Sequence, residues 1–161
     1  MRVIEEQLTD RKQTVDRIFY LASYYADDLR CLYVTLGKQQ LALSSLTFEE
    51  YYDFVKNIPY KRDNEPIEIV ARPKIIFERW QAGIGKDCKK AAVLLGAYFC
   101  LKKIDWRLVV VSTRPDKEVH HIFTQADLNG QFVNVDATYD TMQIGQSKNC
   151  TYAECYQCSL F

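Results

Sequence analysis

The chain carries no surplus of either charge: Lys and Arg total 21, and Asp and Glu total 21. Without a basic excess little drives counterion release from a phosphate backbone or adhesion to an anionic bilayer, so neither nucleic acid nor membrane is expected as a partner. Long apolar runs are missing as well. The longest, Ala91 to Leu101, is too short to span a bilayer. The opening residues Met1-Arg2-Val3-Ile4-Glu5-Glu6-Gln7 lack the apolar centre of a secretory signal, which predicts a soluble cytoplasmic protein. In that setting the six cysteines are expected as reduced thiols rather than a disulfide framework. There is no Gly-rich phosphate loop: Gly83-x-Gly85 has no third glycine and no Lys-Ser/Thr pair, so nucleotide binding is unsupported and no cofactor is expected. Repeats, low-complexity stretches and interdomain linkers are absent too. The 161 residues, 48% hydrophobic and 26% charged, are therefore read as one domain able to bury roughly 70% of its unfolded surface.

What is present reads as helices followed by strands, an α+β chain. Thr9-Asp10 can cap a first helix in which Val15, Ile18, Phe19, Ala22, Tyr25, Ala26 and Leu29 form one apolar stripe. Thr47-Phe48-Glu49-Glu50 is a capping box opening a helix that ends near Asn57-Ile58-Pro59. A turn-rich link, Tyr60 to Pro66, follows. A short helix is expected from Pro73 to Gln81; Gly83 and Gly85 break it, and Asp87 caps a helix from Cys88 to about Lys103. Trp106 to Val111 reads as a strand, and Val119 to Leu128 and Gln131 to Thr138 flank Asn129-Gly130, a strong hairpin signal. The tail after Thr141 looks loop-like.

The chemistry centres on Cys88. A thiol attacks as a thiolate, which a helix N-terminus and nearby cations favour. Cys88 would open its helix among Lys86, Lys89 and Lys90, partly opposed by Asp87. The bland alternative is a small residue at a helix start with solvated lysines. Cys100, between Phe99 and Leu101, fits the packing role better.

Hairpin parity supplies a base. A two-residue Asn129-Gly130 turn pairs 128 with 131 and places residues 121, 123 and 125 on one face with 132, 134 and 136. His121 and Asp136 become diagonal neighbours, roughly 7 Å apart at Cβ, so the carboxylate can orient the imidazole. His120 points the other way and reads as a satisfied, half-buried histidine. Cys88, His121 and Asp136 then form a nucleophile, base and orienting acid suited to acyl transfer. The Cys88 amide is a natural first oxyanion donor, with Gln81 or Trp80 as a second.

Two other features are weighed. Cys150, Cys155 and Cys158 would hold zinc only if His120 or Cys31 completed the set, and the second half of a zinc ribbon is missing; they are read as packing or surface thiols, with no metal expected. Tyr24-Tyr25 and Tyr51-Tyr52 can furnish a binding surface, but helical aromatics more often fill core space.

Residues from about Phe48 to Asp140, over half the chain, resemble the transglutaminase-like cysteine enzymes of the papain-like fold. The likeness lies in Phe54-Val55-Lys56-Asn57-Ile58-Pro59-Tyr60, in Glu68-Ile69-Val70-Ala71-Arg72-Pro73 and in Gly85-Lys86-Asp87-Cys88 leading an Ala/Leu-rich helix. It continues through the Trp106 to Val111 strand, His121-Ile122-Phe123 and the Asn129 to Thr138 ending. The resemblance implies a papain/transglutaminase-like core, N-terminal helices with the nucleophile helix packed on an antiparallel sheet. Residues 1–47 become a helical extension and 141–161 a tail. By the same resemblance Cys88 is the nucleophile, His121 the base and Asp136 the third member. The family often has Gly where Lys86 stands and acidic residues where Lys89 and Lys90 stand, which bears on substrate preference.

The expected function is a cysteine peptidase or amidase working through a thioester on a protein or peptide substrate. The alternatives are transfer of the acyl group to an amine, as transglutaminases do, and a non-enzymatic assembly protein that keeps the fold. Small stand-alone members resemble proteins of tailed phages and prophages, which would make the chain a virion component with other virion subunits as partners.

Overall fold

The computed structural model describes residues 11–62, 70–116, 119–146 and 150–158. The Thr9-Asp10 cap and part of the link before Pro73 lie outside them.

The segment that Cys88 opens forms α4 (Cys88–Lys102), capped by Asp87, whose side chain accepts from the Lys90 amide at 3.0 Å. Residues Ala91 through Phe99 are all buried, so α4 is apolar on every side and serves as a core helix. Around it stand α1 (Arg11–Tyr24), α2 (Phe48–Asn57) and α3 (Pro73–Gln81). Val15, Ile18, Phe19 and Leu29 of the α1 stripe join the main apolar cluster, the last from a 3-10 turn over Ala26–Arg30. The capping box of α2 is closed in both directions: Thr47 accepts from the Glu50 amide at 3.2 Å, and Glu50 accepts from the Thr47 amide at 2.9 Å. Tyr51 and Tyr52 are core rather than surface; the Tyr51 hydroxyl donates to the Leu94 carbonyl at 2.6 Å, which docks α2 on α4.

Four antiparallel strands form the main sheet, β3 (Trp106–Ser112), β4 (His121–Leu128), β5 (Gln131–Val135) and β6 (Tyr152–Tyr156), in the order β5-β4-β3-β6. Asn129 and Gly130 have φ of 59° and 84°, the left-handed pair of a type I′ turn. That turn sets Leu128 opposite Gln131 and Gln125 opposite Asn134, the expected register. Leu108, Val110, Ile122, Ala126 and Val135 enter the apolar cluster with the helices. Helices packed on an antiparallel sheet make the chain α+β.

The structure departs from expectation in several places, beginning with β4, which starts at His121 rather than Val119. β5 stops at Val135 rather than Thr138, because the Thr138 amide and hydroxyl turn to the Asp136 carboxylate instead of the ladder. The N-terminal extension is not wholly helical: β1 (Tyr33–Leu36) and β2 (Gln39–Ala42) form an antiparallel hairpin, with Gly37 at φ 63° in the turn. The tail is not merely a loop, since β6 pairs with β3 through Leu108–Tyr156 to Ser112–Tyr152.

Gly96 faces the Trp106 ring so closely that a Cβ would run into it. Gly96→Ala should therefore destabilise the fold by about 1–3 kcal/mol, the usual cost of overpacking, read as a lowered denaturation midpoint with an unchanged slope.

Candidate active site

The turn into α4 is pinned before Cys88 is reached. The Lys86 amide donates to the Pro59 carbonyl at 2.8 Å, and the Lys86 carbonyl accepts from the Lys61 amide at 2.8 Å. Gly85 is required here, because a Cβ would collide with the Pro59 carbonyl. Asp87 holds the first turn through the Lys90 amide, and the Lys89 ammonium lies 2.9 Å from its other oxygen. Half-buried Cys88 thus starts a helix, where amides have no intrahelical acceptor and the macrodipole is positive.

His121 and Asp136 come from neighbouring strands. His121 Nε2 lies 2.6 Å from Asp136 Oδ2, with both side chains almost fully buried. Asp136 is held by more than the imidazole. Its Oδ1 accepts from the Thr138 amide at 3.0 Å and the Thr138 hydroxyl at 2.6 Å, and its carbonyl lies 2.9 Å from the Tyr52 hydroxyl. With Nε2 engaged by Asp136, Nδ1 is the ring nitrogen that remains, and the Cys88 thiol lies near enough to help raise the imidazole pKa. His121 and Asp136 are therefore in direct contact, with the Cys88 thiol close enough to act on the imidazole.

The electrostatics follow from these bonds. Burial pushes the His121 imidazole toward its neutral form, but the hydrogen bonds to Asp136 and Cys88 outweigh it and raise the pKa to about 9. Burial likewise pushes the Asp136 carboxyl up, and the bonds from His121 and Thr138 overcome it, leaving it below its ordinary value. The imidazolium-carboxylate pair is the state held at neutral pH.

His120 is hydrogen-bonded, its Nε2 3.0 Å from Thr113 Oγ1, but it is exposed rather than half-buried, because it precedes the first residue of β4. Trp80 is accounted for by packing: its ring meets Phe54 at 5.2 Å and Phe77 at 5.3 Å, both edge-on. Gln81 is the exposed last residue of α3. Cys100 packs with its sulfur 3.6 Å from Ser23 Oγ. Among the described residues no three His, Cys, Asp or Glu side chains gather as a metal site; Cys31, Cys150 and Cys155 are exposed and Cys158 is half-buried.

Sequence reasoning missed two rings. Tyr139 lies nearly parallel to His121, with centroids 6.5 Å apart, and packs on Tyr60 at 4.9 Å. Burial and the neighbouring Tyr60 push the Tyr139 hydroxyl up to about 12, so it stays protonated. The signal was available, since Tyr139 directly follows the Asp136-Ala137-Thr138 run. A cavity of about 190 Å³ also adjoins the pair, with Val109, Val111, Phe123 and Met142 beside His121 and Asp136 in its wall.

The pair should leave a signature in stability. A raised histidine pKa contributes fully below the ordinary 6.5 and is lost as pH rises through about 9; a lowered carboxyl contributes above 3.8 and is lost as pH falls. The contribution is thus greatest between about pH 4 and 6.5. The unfolding free energy of the parent minus that of His121→Ala should peak there and shrink by on the order of 3 kcal/mol toward pH 10, measured by urea titration across pH.

No protein-family model and no curated protein matches the sequence. Among solved structures, a crystal structure of a candidate cysteine protease from Cytophaga hutchinsonii is similar over 99% of this chain, with 14% identity and a TM-score of 0.43. The chain spans 55% of that protein's length. No helix among the described residues is long and apolar enough to cross a membrane.

Proposed function

We propose that the protein is a cysteine-dependent amide-bond hydrolase of the transglutaminase-like kind, acting on a protein or peptide through a thioester. One observation carries the reading: a single buried imidazole is hydrogen-bonded to the Asp136 carboxylate through Nε2, and the thiol at the start of α4 is near enough to help raise its pKa. The residue order and hairpin parity described above support the same assignment.

In this mechanism Cys88, as thiolate, attacks the amide carbon; the C–S bond forms and the carbonyl electrons move onto oxygen. The Cys88 amide donates to that oxyanion, with Gln81 as the candidate second donor. Protonated His121 gives its Nδ1 proton to the leaving nitrogen as the C–N bond breaks, and an amine departs. His121, now neutral, takes a proton from water, whose oxygen attacks the thioester. The acid is released and the thiolate-imidazolium pair is restored. Throughout, Asp136 holds the tautomer and stabilises the imidazolium. The adjoining apolar cavity offers room for a substrate side chain.

Iodoacetamide with peptide mapping tests the nucleophile. Cys88 should label stoichiometrically at pH 6, and His121→Ala should slow it about 10²-fold. An inert Cys88 would sink the proposal. With an active substrate, turnover should fall on the alkaline side near pH 9 as His121 loses the proton it must donate, while Cys88 alkylation should not fall. Incorporation of a fluorescent amine into a glutamine-bearing protein, in preference to hydrolysis, would assign acyl transfer instead.

A further inference from the structure

Lys86 is charged, two residues ahead of Cys88, and fully buried. Its ammonium donates to the Ile58 carbonyl at 2.7 Å and to the Thr138 carbonyl at 3.1 Å. Ile58 caps the C-terminus of α2, where carbonyls lack intrahelical donors and a cation is favoured. Thr138 is the residue whose amide and hydroxyl both bind Asp136 Oδ1. The buried charge therefore ties three separate pieces of chain: the end of α2, the turn before Cys88 and the loop after β5.

An isolated ammonium is expensive to bury, and such groups persist only when paired and hydrogen-bonded. Here Asp136, Asp140 and Asp87 supply the opposing charge, from the loop after β5 and from the group's own turn. Burial nonetheless dominates and lowers the pKa to about 8. A core filler would need no charge at all. The main chain of residue 86 is already fixed by Pro59 and Lys61, so the side chain is not needed to hold its own turn. Beyond the Ile58 carbonyl, which adjoins the already fixed Pro59, the side chain adds the bond to Thr138.

We propose that Lys86 is a positioning residue for the candidate active site, holding the Thr138 carbonyl so that Thr138 aims the Asp136 carboxylate at His121. The relay runs from Lys86 Nζ to Thr138 O, from Thr138 N–H and Oγ1–H to Asp136 Oδ1, and from Asp136 Oδ2 to His121 Nε2. It rests on the functional reading given above, and Lys86 itself touches no reacting atom.

The sign of one shift separates positioning from simple electrostatics. Removing a cation near the pair favours the imidazolium, so a purely electrostatic Lys86 would leave the His121 pKa unchanged or higher in Lys86→Met. Losing the aim of Asp136 removes the bond that raises it, so positioning predicts a fall of more than one pH unit from about 9 toward the ordinary 6.5. The measurement is an NMR titration of the two histidines in the full chain, assigned with His120→Gln, alongside thermal denaturation.

Lys86→Met is expected to show that fall, with Cys88 alkylation at pH 6 slowed at least tenfold. An unchanged or raised His121 value in a folded Lys86→Met overturns the proposal. Thr138→Val keeps the carbonyl that Lys86 binds and removes only the hydroxyl on Asp136. It should lower the same value by a smaller amount, and no change there overturns the relay even where Lys86→Met does not fold. A parent protein whose Cys88 is inert but whose His121 titrates and responds as described would sink the hydrolase reading and leave the positioning role standing.

Discussion

The buried contact between His121 and Asp136 is the constraint around which the rest is arranged. Two ionisable groups, 7% and 4% exposed, persist inside a protein only if nearly every lone pair and proton is met. Thr138 supplies two donors to the carboxylate, Tyr52 holds the adjoining carbonyl, and the Cys88 thiol is near enough to favour the imidazolium. Each partner arrives from a different stretch of chain. The helix bundle, the hairpin and the loop after β5 thus have to fold together before the pair is satisfied.

Much of this was legible because the decisive signals are local. A capping box needs only four consecutive residues, and Thr47 to Glu50 has them. Asn129-Gly130 fixes both the turn type and, by parity, which side chains share a face, so the His121–Asp136 neighbourhood could be counted outward from the turn. Pro73, Gly83 and Asp87 delimit α3 and α4 in the same way. For the candidate site, the histidine and aspartate singled out are in direct contact, and the Cys88 thiol is near enough to act on the imidazole.

What escaped depends on partners distant in sequence. β6 has an alternating pattern too short to stand out, and it is a strand because β3 offers a free edge about 40 residues earlier. The β1–β2 hairpin is largely exposed on both sides, so it lacks the apolar alternation that sequence reading relies on. Lys86 misleads for a related reason. Among Lys89 and Lys90 it reads as one of several solvated charges, and only the meeting of the Ile58 and Thr138 carbonyls turns it into an interior group. Trp80 shows the same dependence, since its packing against Phe54 and Phe77 joins residues from two helices.

The adjacent imidazoles at positions 120 and 121 give the hairpin a consequence of its own. Strand side chains alternate with a period of two, so slipping β4 against β5 by one residue would exchange one imidazole for the other opposite the acid. Which ring meets the carboxylate is decided by a loop of two residues at the far tip of the ribbon, well away from the thiol. Insertions or deletions there are therefore far less tolerable than their surface location suggests, while substitutions that keep the left-handed turn cost little.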